Sequence, residues 1–284
     1  MPRHLKFPLA LTIVADYSKD QEDTNMNEQL NYLICATHRS GSSLLCEGLR
    51  KTRCCGKPRE FISPTRSEII FERGDVSIDP RDDFNGYLSE ILEKERTENG
   101  VFGAKVMWKQ ICWLPGRLGN HIAERKTRKL YLSLSSVFGE APCIFVWRAD
   151  KLKQAISLNR AKQSGVYSAP QLVGRGEDQG ILQPVYQADV IKETIDRFTS
   201  EEAKWRIFFK INKIVPLEIC YETFIDNFEK TIYEVLDFLG IAHDDLQIRP
   251  PASNQKLADD TSREWYERYL DEHPEETFGI QPQD

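Results

Sequence analysis

The 284-residue chain contains no Cys-x-x-Cys pair, no apolar run of membrane-spanning length and no Gly-x-x-x-x-Gly-Lys-Ser/Thr loop. The first absence leaves structural zinc without support. The second excludes a stable membrane-inserted helix, and the third an ordinary nucleoside-triphosphate loop. Net positive charge is lacking as well: 44 Asp and Glu outweigh 38 Lys and Arg, for a net charge of −6. That balance argues against a general nucleic-acid partner. There is no internal repeat and no low-complexity tract. The seven cysteines are odd in number and fall partly in apolar runs, so they read as small buried hydrophobes of a reducing, cytoplasmic compartment. Adjacent Cys54 and Cys55 read as a loop pair rather than a catalytic one.

What remains is the composition of a folded α/β globule, 40% apolar with five tryptophans. Its length suits one large domain. Residues 1–29 read as an N-terminal extension and 30–284 as the domain. The extension opens with Arg3 and Lys6 before a short apolar run, Phe7 to Ala15, which imitates a signal peptide. Asp16 follows at once, and an extra strand or a loose extension is favoured over export.

The most informative stretch is Tyr32 to Leu45. Tyr32 to Ala36 is apolar, as a central parallel strand should be. Thr37 to Ser43 brings Arg39, Gly41 and small hydroxyls into one turn, and Leu44, Leu45 and Leu49 repeat at helical spacing. A strand feeding a helix through such a loop aims backbone N–H groups at one point, which suits a phosphate-like anion. A plain turn capped by Ser40 or Ser42 is the alternative.

Further strands are expected at Val101–Val106, Cys143–Trp147 and Val215–Cys220. Helices are expected at Leu44–Lys51, Glu90–Arg96, Arg117–Val137, Asp150–Lys162, Ala188–Ile211, Phe224–Leu239 and Ser262–Leu270, the Phe224 helix ending at Gly240. This alternation predicts a P-loop-like three-layer fold, a central parallel sheet flanked by helices. Ligands of such sheets bind at the carboxyl ends of the strands, where Arg39, Trp108 and Arg148 all fall. Ser63–Phe84 and Gly165–Gln187 read as long irregular segments, either lids over the site or plain surface.

Four stretches, in order, carry a family resemblance: His38-Arg39-Ser40-Gly41-Ser42-Ser43, Gly56-Lys57-Pro58-Arg59-Glu60-Phe61, Gly103-Ala104-Lys105-Val106-Met107-Trp108, and Trp147-Arg148-Ala149-Asp150 with Ser157. Together they resemble the bacterial trehalose 2-sulfotransferase-like family, whose sulfuryl donor is 3′-phosphoadenosine 5′-phosphosulfate. The resemblance implies a donor site of Arg39, Ser40, Gly41, Ser42 and Ser43 for the 5′-phosphosulfate, with Arg148 and Ser157 for the 3′-phosphate. It implies Glu60 as general base, His38 as a second candidate and no obligatory metal. It also implies a small-molecule acceptor held by His38, Lys57, Glu60 and Trp108, and it raises a homodimer, for which Trp265 and Tyr269 are candidates as interface or core.

Two departures bear on the acceptor. Lys57 stands where the family has an acid, and His38 where it has glutamine. The loop that follows is acidic, with Glu68, Glu72, Asp75, Asp79, Asp82 and Asp83. Such a rim suits a cationic natural product such as a saxitoxin-like alkaloid, with a carbohydrate or glycolipid as the other class. An ATP-dependent small-molecule kinase and a non-catalytic nucleotide-binding protein are the rivals from other classes.

Overall fold

A computed structural model describes residues 29–119, 127–167, 183–243, 246–250 and 260–276. The extension and most of the Gly165–Gln187 segment lie outside them. Four parallel strands form one sheet: β1 (Leu30–Ala36), β2 (Val101–Met107), β3 (Cys143–Trp147) and β4 (Leu217–Cys220), in the order β2-β1-β3-β4. All four expected strands are present, β4 starting two residues later than expected.

Burial on both faces explains the continuous apolar runs. Leu33 and Cys35 point into one core with Phe102, Val106, Phe145, Trp205 and Phe208. Tyr32, Ile34 and Ala36 point into the other with Leu45, Leu49, Phe224 and Ile232. The period of two along β1 thus divides its side chains between the two helical layers.

The helices are α1 (Ser42–Thr52), α2 (Pro64–Glu72), α3 (Phe84–Lys94), α4 (Trp108–Arg117), α5 (Thr127–Phe138), α6 (Lys151–Ser164), α7 (Ala188–Asn212), α8 (Tyr221–Asp226), α9 (Phe228–Phe238) and α10 (Asp260–Glu272). Three readings are corrected. Ser63–Phe84 is not irregular throughout, because Pro64 opens α2 at its first turn. No helix begins at Arg117. That residue ends α4, and a left-handed Gly119 follows. The Phe224–Leu239 helix is two helices meeting at Asn227, whose φ of −128° and ψ of 44° break the helical path. Its far end matches the expectation: Ile241 N–H donates to Leu236 O and Gly240 N–H to Asp237 O, the Schellman pattern around a left-handed glycine. Trp265 and Tyr269 are buried against α6 and α7.

The topology sets where a ligand goes. The chain leaves β1 toward β2 on one side and β3 toward β4 on the other, so adjacent β1 and β3 send their loops in opposite directions. The cleft between their carboxyl ends is the switch point of the sheet, and it receives the loops 37–41 and 148–150. Trp205 fixes one wall, its indole N–H donating to the Ala36 carbonyl at 3.2 Å.

The β1–β2 pair is close-fitting at Gly103, which faces Tyr32 in register. A Cβ there would lie 2.4 Å from Tyr32 Cζ, and the Tyr32 hydroxyl is anchored on the Cys55 carbonyl at 2.8 Å. Gly103→Ala is expected to destabilise the fold by ~1–3 kcal/mol through overpacking. Denaturant unfolding measures this, and an unchanged midpoint would show that the ring yields freely.

Candidate active site

Thr37 to Gly41 turns sharply at the end of β1. Arg39 has φ 62° and Gly41 φ 87°, two left-handed residues around Ser40. Arg39 is a non-glycine in a conformation that costs ~1–2 kcal/mol. Gly41 admits no side chain on two grounds: its φ, and the Tyr221 ring carbon 2.4 Å from where a Cβ would stand. Neither Ser40 nor Ser42 caps α1. The N-cap is Gly41, without a side-chain bond, while the Ser40 hydroxyl turns inward to donate to Thr37 O at 2.8 Å. The first N–H groups of α1 are therefore left facing the cleft without a side-chain cap, as an anion site requires.

Arg39, Arg148 and Ser157 converge here. Arg39 Nε donates to Ser157 Oγ at 2.9 Å, and its Nη1 to the Tyr167 carbonyl at 2.6 Å. Arg148 Nη1 donates to the Arg39 carbonyl at 3.5 Å, and its guanidinium lies 4.5 Å from the Tyr221 ring centre. Partial burial lowers the pKa of Arg39, and the charge of Arg148 lowers it further. Among the described residues no carboxylate pairs with Arg39. Two guanidinium groups are thus held together with a carboxylate, Glu222, on Arg148 alone, an arrangement that suits an anionic ligand.

Glu222, unremarkable in the sequence, is the acid of this lobe. It accepts from Ala149 N–H at 3.0 Å, Asp150 N–H at 3.3 Å and Arg148 Nε at 3.3 Å. Burial alone would raise its pKa, but the backbone donors and Arg148 hold it below the usual value. It fixes Arg148 against the start of α6, whose own cap is Asp150, bonded to Lys153 N–H at 2.8 Å.

The second lobe is built on Lys105. Arg59 forms a parallel bridge to Ala104, and Lys105 N–H donates to the Arg59 carbonyl at 2.9 Å. That register lays Glu60 beside Lys105, whose ammonium lies 2.9 Å from Glu60 Oε1 and 3.0 Å from Ser43 Oγ. Gln110 completes the group, donating to Glu60 Oε2 at 2.6 Å and accepting from Met107 N–H at 2.9 Å. Burial pushes the Glu60 pKa up, but Lys105 and Gln110 outweigh it, and the net shift is downward. Glu60 is ionised at neutral pH. Arg59 is not its partner, being paired with Glu95 and Asp75.

His38 stands at the open mouth, accessible to solvent. Its pKa is lowered first by the crowding of its ring by protein, with Glu60 opposing and Arg197, Lys105 and Lys109 adding to the fall. The ring is neutral at pH 7. Trp108 begins α4 and packs edge-on against Trp205, with centroids 5.3 Å apart, while also lining a crevice between α4 and α7.

Lys57 is not brought to this group. Its ammonium reaches the Lys94 carbonyl at the end of α3, at 3.3 Å. Of the six acids of 68–83, three are engaged: Asp75 pairs with Arg59, Asp79 with Arg81, and Asp83 caps α3 through Gly86 N–H. Of the groups missing from the sequence reading, Gln110 and Glu222 carry no local signal.

The model of the family described as Stf0 sulphotransferase matches residues 31–272. The chain belongs to the Stf0 sulphotransferase family. Trehalose 2-sulfotransferase of Mycobacterium tuberculosis (strain ATCC 35801 / TMC 107 / Erdman) is 32% identical over 263 residues, covering 86% of this chain and 95% of that protein. Its namesake in Mycolicibacterium smegmatis (strain ATCC 700084 / mc(2)155) is 31% identical over 258 residues, covering 84% and 93%. The sulfotransferase domain of the Synechococcus PCC 7002 olefin synthase is similar at 13% identity with a TM-score of 0.40, over 93% of this chain and 94% of that domain; at that score it adds nothing to the family assignment. The matched region of the Stf0 family runs from the second residue of β1 to the end of α10.

The Lys105–Glu60 pair also bears on stability. A carboxylate whose folded pKa is lowered stabilises the fold above its ordinary value of 4.5 and loses that contribution as pH falls through the folded value. Lys105→Met is expected to destabilise the protein at pH 7 by ~3 kcal/mol, the low end for a broken buried pair because Gln110 remains. Melting temperatures at pH 7 and below pH 4 check this: the gap between variant and wild type should narrow in acid.

Proposed function

We propose that the protein transfers a sulfuryl group from 3′-phosphoadenosine 5′-phosphosulfate to a hydroxyl of a carbohydrate-type small molecule. The observation that carries the donor assignment is the two-lobed cleft: Arg39, Arg148 and Ser157 on one side, and the uncapped start of α1 with Lys105 on the other. A donor with two phosphates needs two anion grips. Because the Arg39 guanidinium is turned onto Ser157, we assign it with Arg148 to the 3′-phosphate. The N–H groups of Gly41 to Ser43 and the Lys105 ammonium are assigned to the 5′-phosphosulfate. This revises the assignment of Arg39 to the 5′ side.

In the reaction the acceptor oxygen attacks sulfur in line, and the bond from sulfur to the phosphate oxygen breaks. That oxygen keeps the electron pair and leaves on adenosine 3′,5′-bisphosphate. The acceptor proton passes to Glu60. Lys105 links the two events. In the free enzyme it neutralises Glu60 at 2.9 Å. The incoming phosphosulfate competes for the same ammonium, and a carboxylate that loses its cation gains affinity for a proton. Donor binding thus makes the base stronger where the base is needed. The carbohydrate class rests on the trehalose 2-sulfotransferases that the chain resembles. With Asp75, Asp79 and Asp83 engaged by partners of their own, the acidic loop leaves a cationic alkaloid Glu68, Glu72 and Asp82.

Glu60→Gln should lower kcat by ~10²–10⁴-fold while calorimetry finds adenosine 3′,5′-bisphosphate bound nearly as in the wild type. In the free enzyme Glu60 titrates below its ordinary 4.5, so kcat/KM should stay level as pH falls from 7 to that value. An acid limb below the ordinary histidine value of 6.5 and above that of Glu60, abolished by His38→Asn, would transfer the role to His38.

A further inference from the structure

The crevice between α4 and α7 has a volume of about 310 Å³ and is lined by Trp108, Lys109, Trp113, Arg197, Glu201 and Lys204, among others. It adjoins the transfer site: α4 carries Gln110 on Glu60 and Trp108 in the crevice wall. His38 stands within electrostatic reach of Glu60 and Lys105 on one side, and of Arg197 and Lys109 on the other.

Its charge is lopsided. Glu201 is the acid among these residues, against Lys109, Arg197 and Lys204. Lys162 on α6 adds to the positive field: partial burial lowers its pKa, and Arg197 and Lys109 lower it further. Glu201 is buried with its pKa raised by burial, and no salt bridge within 4 Å joins it to these cations. Arg197 is the most telling member. Its Nε and Nη2 are buried without a hydrogen-bond partner among the described residues, and its guanidinium lies 5.0 Å from the Phe198 ring centre. Buried guanidinium donors are rarely left unpaired; having no accessible surface, these two reach a ligand when the side chain turns outward, where their fork matches an oxyanion. Trp113, 45% exposed at the rim, offers a flat apolar face beside that charge.

We infer that this crevice binds an oxyanion carried by the acceptor, so that the substrate is a saccharide bearing a phosphate or carboxylate group, with Arg197 as the specific partner of that group. The inference rests on the sulfuryl-transfer reading above and narrows its acceptor. It reverses the expectation of a cationic acceptor, because the charge around the crevice has the opposite sign. Glu201 is left to accept from neutral hydroxyls, and the Trp faces to cover the sugar ring.

The test is calorimetry on the full chain saturated with adenosine 3′,5′-bisphosphate, comparing trehalose with trehalose 6-phosphate at fixed ionic strength. The phosphorylated sugar should bind about tenfold tighter or better, the worth of a charge-assisted hydrogen bond. Arg197→Gln should remove most of that advantage and leave trehalose affinity unchanged. Should Arg197→Gln fail to fold by its melting curve, Lys109→Gln with Lys204→Gln serves the same comparison. Equal or undetectable binding of both sugars by the wild type overturns the inference, as does a variant that weakens both alike. Transfer assays with labelled donor keep the two readings apart. Sulfation of trehalose without any preference for the phosphate sinks the crevice inference alone. A retained preference with no sulfation of either sugar sinks the transfer reading alone.

Discussion

The Lys105 ammonium ties together three segments that are distant in the chain. It sits near the end of β2, reaches Ser43 at the first turn of α1, and pairs with Glu60 on the segment that follows α1. Without that cation Glu60 would be a carboxylate with one amide donor in a poorly hydrated place, and the segment carrying it would have only its backbone bridge to Ala104 to hold it. The position is expensive in free energy, since a lone buried charge costs several kcal/mol. That cost makes the arrangement specific: there is one geometry in which Ser43, Lys105, Glu60 and Gln110 are all satisfied.

The sheet legible in the sequence was the part governed by local pattern. Tyr32–Ala36 and Cys143–Trp147 are continuous apolar runs, and only a strand buried on both faces needs such a run over so short a length. The elements that were missed have weak patterns. Ser67 and Ile70 are the buried residues of α2, so its sequence offers little helical stripe. α4 carries Pro115 and Gly116 in its last turn, two residues that disfavour a helix. The Asn227 break lies inside a run whose apolar spacing continues across it.

The site divides along the same line. Arg39 and Arg148 follow strand ends, and Ser157 lies within the helix that Arg148 leads into, so topology gathers them. Lys57 shares a motif with Glu60 but points the other way, because successive residues of an extended segment face opposite sides. Gln110, Glu222 and Arg197 gain their roles from packing between elements far apart in sequence, and no local pattern announces that.

The hydrogen bond from Trp205 to the end of β1 has a metric consequence. Trp205, Glu201 and Arg197 follow one another at intervals of four along α7, and so share one stripe of a straight rod. With the Trp205 end pinned to the strand, the Arg197 end stands ~12 Å away along the helix axis. The helix is therefore a ruler. It fixes the separation between the end of β1, where the 37–41 loop begins, and the arginine that lines the α4–α7 crevice, and any guest that touches both must span that length.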